Sequence, residues 1–288
     1  MEKAFGRERA SEIMPETFIV DNPAQIELFK KKASADEHYI LKRNIERKRG
    51  LMLYGPGTGH GTVMDHLQEI EDGRYVVIQR YIPHVHTING HKVNLRMYML
   101  MTCAPERDGS VRRAFVHTNG KCLYTNKRYD EGAYDAEHHF TSFDFNKTQY
   151  ETEKLPLTLE QLRAHWKAEG IDDTAVFKRI HGVLSQAAEA VVPRICNDRR
   201  FNSHIRFQHF GADVILTKDL KPYLMEMNYG PALGAWNKDD YEMKRAMVED
   251  MFAGVGLIKE PFRYSDGGDL SEGFVLLGEA APVQNVDQ

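Results

Sequence analysis

Apolar residues recur along this chain in two rhythms, and each change of rhythm predicts a change of element. Short apolar runs at 14–20, 38–42 and 51–54 predict strands, and Asp21 or Asn22 ahead of Pro23 predicts a capped helix running to about Lys32. A glycine-rich turn at 55–61 leads into a short helix toward Glu71. The strongest strands of the first half fall at 75–81 and 91–102. Runs at 111–117 and 121–124, separated by Thr118-Asn119-Gly120, predict a hairpin with an Asn-Gly turn. Residues 125–157 are polar and irregular. Two helices follow, and the longer opens near Asp172–Asp173 with Ala175, Val176, Ile180, Val183, Leu184, Ala187, Ala190 and Val191 on roughly one face. Strands at 207–217 and 222–228 precede a helix near 239–252, and the Gly-, Asp- and Glu-rich stretch 265–288 predicts a flexible tail. Strands in consecutive hairpins, with helices grouped elsewhere, predict an α+β fold.

Composition narrows the function. A net charge of −4 provides no whole-chain basic field, so neither nucleic acid nor a membrane surface is an expected partner. No apolar run reaches membrane-spanning length, and the charged N-terminus lacks an apolar signal core, so a cytoplasmic location is expected. The three cysteines, Cys103, Cys122 and Cys196, form no CxxC, and their odd number predicts no disulfide framework and a reducing compartment. Lys30, Lys31, Lys32, Lys42, Arg43, Arg47, Lys48 and Arg49 crowd one stretch, which suits a solvated face or a polyphosphate contact.

The strongest chemical signal is the predicted hairpin 211–228. A turn centred between Asp219 and Leu220 sets Thr217 against Pro222, Ile215 against Leu224 and Asp213 against Glu226. Asn228 shares the face of Glu226, because side chains alternate along a strand. Two carboxylates facing each other repel, and a hard cation relieves them. An oxygen-only set without His or Cys suits Mg²⁺ held partly through substrate phosphates. On 91–102, Lys92, Asn94 and Arg96 share one face, which suits phosphate or ribose oxygens and equally a solvent-facing edge. Gln79, Arg80, Tyr81 and Ile82 end an apolar strand, where free backbone groups can meet an adenine ring or simply close a buried strand. Lys42 ends another strand, within reach of phosphates. The 55–61 turn lacks the Gly-Lys-Ser/Thr ending of a phosphate loop and reads as a flexible turn. The thirteen histidines supply no zinc-ligand spacing.

Taken in order, these segments resemble the tubulin–tyrosine ligase-like family over about 14–237. Met14-Pro15-Glu16-Thr17-Phe18 is similar to its opening strand, and Tyr39-Ile40-Leu41-Lys42 to its W-I-x-K strand. Lys48-Arg49-Gly50-Leu51 matches its R-G loop in part. Gln79-Arg80-Tyr81-Ile82 matches Q-[KR]-Y-I, and Lys92-Val93-Asn94-Leu95-Arg96 resembles K-F-D-[LI]-R. His139-Phe140-Thr141-Ser142 resembles H-L-T-N, and Glu226-Met227-Asn228 resembles E-V-N.

The resemblance implies an ATP-grasp fold across 1–264, with a nucleotide-binding lobe at about 14–82, a second lobe at about 83–264 and ATP in the cleft between them. It implies Lys42 on phosphates, Arg96 near the phosphates or the acyl intermediate, Gln79–Ile82 on adenine, and Lys92 and Asn94 near the ribose or adenine of the nucleotide. It places Asp213, Glu226 and Asn228 on Mg²⁺. The implied reaction is ATP-dependent coupling of an amino acid (glutamate, glycine or tyrosine) to a protein carboxylate, such as a tubulin tail or another acidic protein, through an acyl phosphate. Three departures stand out: Leu123 where the family carries arginine, Asn94 for aspartate, and Ser142 for asparagine. They leave open a non-catalytic ATP-binding module and a ligase acting on a small-molecule carboxylate.

Overall fold

A computed structural model describes residues 1–44, 50–67, 75–106, 109–196, 206–265 and 273–280. Arg47, Lys48 and Arg49 of the basic stretch, and the end of the predicted helix toward Glu71, lie outside the described residues, while Met64–His66 forms a single 3-10 turn.

Two antiparallel-rich sheets carry the chain. The first holds β1 (Thr17–Ile19), β2 (Tyr39–Lys42), β3 (Leu51–Tyr54) and β4 (Val77–Arg80) in the order β1-β4-β2-β3. Two short helices precede it, α1 (Glu2–Phe5) and α2 (Arg7–Ile13), which the hydrophobic pattern did not announce. Helix α3 (Pro23–Lys32) begins as predicted, with Asn22 Oδ1 accepting from the amides of Ala24 and Gln25 and Pro23 in the first turn. Phe29 of α3 is buried against Phe18 and Tyr39, which fixes this helix on one face of the sheet.

The second sheet contains β5 (Thr87–Ile88), β6 (His91–Glu106), β7 (Gly109–His117), β8 (Lys121–Tyr124), β9 (Arg206–Leu216), β10 (Pro222–Tyr229), β11 (Tyr264–Ser265) and β12 (Phe274–Ala280). Its main path runs β10-β9-β6-β7-β12-β11, with β5 and β8 also on β6. The short helices α4 (Ala136–His139) and α5 (Gln149–Thr152) sit in the irregular middle. Helices α6 (Leu159–Ala168) and α7 (Asp173–Cys196) follow, then α8 (Lys238–Gly254). A capping box between Thr158 and Gln161 starts α6. The buried stripe of α7 is Val176, Phe177, Ile180, Leu184, Ala187, Ala188 and Val192, a slight rotation from the predicted face that leaves Ala175, Ala190 and Val191 at its margin. The stripe joins Leu95, Met97, Met99, Ala212 and Val214 in the main core, which therefore fills one face of the sheet and leaves the other for the site.

Three expectations are corrected. β7 and β8 do not form a hairpin: β8 pairs with 93–96 of β6 and β7 with 99–106, end to end along one edge. β6 is sixteen residues long, so a single edge accommodates both, and 118–120 is a connector between them. Gly120 lies so close to the Arg96 carbonyl that a Cβ would come within 2.3 Å of it. The stretch after 265 is not wholly a tail, since Phe274–Ala280 pairs antiparallel with β7 and Phe274 is fully buried beside Phe115. The outer edge of β7 needs a partner, and this strand supplies it. Finally, Cys103 and Cys196 are disulfide-bonded, with Cα atoms 5.7 Å apart, while Cys122 is free and buried. The C-terminal end of α7 lands beside the end of β6, a proximity that 93 residues of separation conceal in the sequence. Among the described residues no helix is long and apolar enough to cross a membrane.

Candidate active site

A row of four charged residues crosses four adjacent strands, and three of them, Arg96, Asp213 and Glu226, form the floor of the site. Lys121 pairs with Arg96, Arg96 with Asp213, and Asp213 with Glu226 across β8, β6, β9 and β10. Their sequence neighbours Cys122, Leu95, Met97, Ala212 and Val214 point into the core, which commits the charged row to the opposite face. The expected Asp213–Glu226 pairing is present, but by another route. At the hairpin tip Leu216 faces Pro222, Ile215 faces Tyr223 and Val214 faces Leu224, one residue off the predicted register. A β-bulge at Met225 restores the pairing at Glu226.

The repulsion between the two carboxylates is met from inside the protein. Arg96 grips both oxygens of Asp213, Nε donating to Oδ1 and Nη2 to Oδ2 at 2.8 Å. Gly211 makes room for this: a Cβ there would meet Arg96 Cδ and Pro231 Cβ at 2.9 Å. Glu226 is exposed and accepts from Asn228 Nδ2 at 2.9 Å. Lys42 overhangs from the first sheet; burial lowers its pKa, and the Glu226 carboxylate pulls the other way. Asn94 Oδ1 is buried and accepts no hydrogen bond from the described residues. These groups surround a cleft of about 690 Å³ whose remaining wall includes Ile40, Phe140, Ile215 and Met225.

A second element holds Lys92. Its ammonium donates to the Tyr81 hydroxyl at 3.2 Å and lies 4.6 Å from the Tyr81 ring centroid. The Tyr81 hydroxyl donates in turn to His139 Nδ1 at 2.7 Å, and His139 Nε2 donates to the Asp130 carbonyl at 3.0 Å. This chain assigns the proton of a neutral imidazole to Nε2. Burial, reinforced by the Lys92 charge, pushes the His139 pKa down to about 4. Tyr134 stacks between His139 and His38, tying α4 to the first sheet.

Lys42, Lys92, Asn94, Arg96, Asp213, Glu226 and Asn228 thus line one cleft. The four residues assigned to adenine are placed differently. Arg80, Tyr81 and Ile82 line a neighbouring cavity of about 860 Å³, and Tyr81 connects to cleft residues through its hydroxyl and its ring. Gln79 is turned into the first sheet, donating to Thr17 Oγ1 at 2.9 Å, and lines neither space. Sequence reasoning assigned no role to His139, Phe140 and Thr141, which line the cleft, although their motif was visible. It also missed Asp240 and Lys244, which reach the row through Lys121. Among the described residues no three His, Cys, Asp or Glu side chains cluster as a metal site. The set of two carboxylates and one amide fits a hard cation that draws its other ligands from phosphate and water. The buried Asn94 oxygen, which has no hydrogen-bond partner among the described residues, is a further acceptor in the cleft lining.

A sheet with α6 and α7 on one face, and with α8 beside a cleft of lysines, arginine and oxygen donors on the other, defines an α+β protein of the ATP-grasp type. A model of the Tubulin-tyrosine ligase family matches residues 1–262, and the chain belongs to that family. It is 24% identical over 266 residues to human Tubulin polyglutamylase TTLL5, covering 87% of this chain and 20% of that protein. It is 28% identical over 216 residues to the Bos taurus Probable tubulin polyglutamylase TTLL9, covering 72% of this chain and 44% of that protein. With Mus musculus Tubulin polyglutamylase TTLL6 it shares 27% identity over 207 residues, 66% of this chain and 24% of that protein. The chain therefore spans about a fifth of the first relative and less than half of the second.

Proposed function

We propose that this chain is an ATP- and Mg²⁺-dependent carboxylate–amine ligase that adds an amino acid to a carboxylate of an acidic protein. The observation that carries this is the row Arg96–Asp213–Glu226, with Asn228 beside it and Lys42 above it, in one cleft. In this reading Asp213, Glu226 and Asn228 hold Mg²⁺, which supplies charge neutralisation on the phosphate oxygens. Lys42 and Lys92 bind and orient the nucleotide phosphates from opposite walls. The Ile40, Phe140, Ile215 and Met225 surfaces accept the adenine and exclude water. The acceptor carboxylate attacks the γ-phosphorus and ADP leaves; the incoming amine then attacks the acyl phosphate, releasing inorganic phosphate and forming the amide. Protein groups act by positioning and by electrostatic stabilisation of the transferring phosphoryl group. Arg96 is placed to follow that charge, since its side chain reaches the cleft from the centre of the row.

The polyglutamylase names of the relatives favour glutamate as the added amino acid and a tubulin tail as the acceptor. The test is ADP release from Mg·ATP with L-glutamate and an acidic tubulin-tail peptide, read together with the mass of the peptide. Wild type is expected to add about 129 Da per glutamate, and Asp213→Ala to release no ADP above background. Unchanged turnover in Asp213→Ala rejects the assignment. A second reading, a nucleotide-binding module without transfer, is favoured by Leu123 and Asn94, an uncharged pair side by side on β8 and β6. Tight Mg·ATP binding without ADP release across glutamate, glycine and tyrosine selects it.

A further inference from the structure

The charged row continues past the cleft lining from Arg96 to Lys121, its strand partner on β8, on the side away from Asp213 and Glu226. Lys121 Nζ lies 2.5 Å from Asp240 Oδ2, and Lys244 Nζ lies 3.0 Å from Asp240 Oδ1. Asp240 has no exposed surface, and the Lys244 side chain is buried. Two ammonium groups therefore share one buried carboxylate. Burial lowers the Lys121 pKa; Asp240 pulls it back up, and Lys244 and Lys147 add like-charge repulsion. Positive charge left over in a partly desolvated place is costly, and an arriving anion relieves it.

The surroundings point to a bound carboxylate. Asp240 also accepts from the Trp236 amide at 3.0 Å, and Lys244 donates to the Gly234 carbonyl at 2.6 Å. The same carboxylate thus anchors the loop whose Pro231 and Ala232 line the cleft. Leu123 lies two residues along β8, on the face of Lys121. An ammonium carries three donors, and the bond to Asp240 uses one.

We propose that Lys121 binds the carboxylate of the incoming amino acid; this rests on the ligase reading and deepens it. The chemistry separates two carboxylates. The acceptor must meet the phosphoryl group, and so belongs near Arg96 and the metal residues. The amino acid must present only its amine, and its own carboxylate must stay clear of the phosphoryl group. Lys121 is one strand further from Asp213 and Glu226 than Arg96 is. Asp240 is a positioning residue that holds Lys121 in place.

The test is calorimetric titration of L-glutamate into the protein saturated with ADP and Mg²⁺, where no turnover occurs. Lys121→Met and Lys121→Gln are each expected to weaken glutamate binding on the order of tenfold, the loss of one charge-assisted contact. Glutamine keeps a donor for Asp240, so it guards against a folding defect in the methionine variant. Lys121→Arg is expected to stay within about threefold of wild type, because it keeps the charge. ADP affinity is expected to be the same in all four proteins. Wild-type glutamate affinity in Lys121→Gln, a parallel loss of ADP affinity, or a nucleotide-loaded wild type that binds none of glutamate, glycine and tyrosine overturns the inference. A wild type that takes up no ADP instead removes the ligase reading, and this inference with it.

Discussion

Arg96 and Asp213 sit directly opposite each other on β6 and β9, and the guanidinium contacts both carboxylate oxygens. Asp213 is almost fully buried, so removing this partner leaves its carboxylate unpaired. Arg96→Met is expected to destabilise the fold by about 3–5 kcal/mol, the cost of leaving a buried carboxylate unpaired. The double variant Arg96→Met with Asp213→Met is expected to lose less than the sum of the two single losses. Urea unfolding of the four proteins measures this, and strict additivity would show that the pair is not coupled.

The Lys92–Tyr81–His139 chain predicts a second-hand effect on nucleotide binding. Tyr81→Phe removes the hydroxyl that joins the ammonium to the imidazole. One lost hydrogen bond corresponds to about fivefold weaker binding of a fluorescent ATP analogue. His139→Gln, which can still accept from Tyr81 and donate to the Asp130 carbonyl, is expected to bind like wild type, whereas His139→Leu behaves like Tyr81→Phe. Equal losses in the glutamine and leucine variants would assign His139 a packing role only.

His139 also predicts a pH dependence of stability. Its pKa is held at about 4 in the folded chain by burial and by Lys92, below the ordinary value of 6.5. Between these values the unfolded chain takes up a proton that the folded chain refuses. Its stabilising contribution is complete above pH 6.5 and is lost as pH falls toward 4, with a slope of up to about 1.4 kcal/mol per pH unit. Urea unfolding at pH 7, 6 and 5 is expected to be less steep in pH for His139→Gln than for wild type. Identical slopes would remove His139 from the account.

The Cys103–Cys196 bridge closes a loop across 93 residues of sequence. In the chain-entropy picture such a bridge stabilises by roughly 4–5 kcal/mol. Reduction, or Cys196→Ser, is expected to lower Tm by roughly 10 °C for a domain of this size. Differential scanning calorimetry with and without a thiol reductant reads this directly, and a Cys196→Ser protein whose Tm is insensitive to reductant and equal to wild type would refute it.

The elements that were legible in the sequence are those whose information is local. Asn22-Pro23 announces α3, and the alternation of Lys92, Asn94 and Arg96 assigns the face of β6 correctly. The cleft set was legible for the same reason: Lys92, Asn94 and Arg96 ride on one strand, and Asp213, Glu226 and Asn228 on one hairpin. What escaped depends on distant chain. Nothing near Asn119-Gly120 reveals that β6 is long enough to take β7 and β8 on one edge. Nothing near Lys121 reveals Asp240, which lies 119 positions further along the chain. The bond of Gln79 to Thr17 is likewise hidden in the sequence, because it is made across two strands that only the fold brings together.

The extra residue at Met225 divides the hairpin into two independent zones of pairing, 222–224 with 214–216 and 226–229 with 210–213. Geometry set at the tip is therefore not transmitted along the ladder to the carboxylates. A loop exchange at 218–221 has to satisfy only the outer zone, so grafts of altered length at that tip are a way to reshape the surroundings of Thr217 and Tyr223 while the Asp213–Glu226 spacing stays fixed.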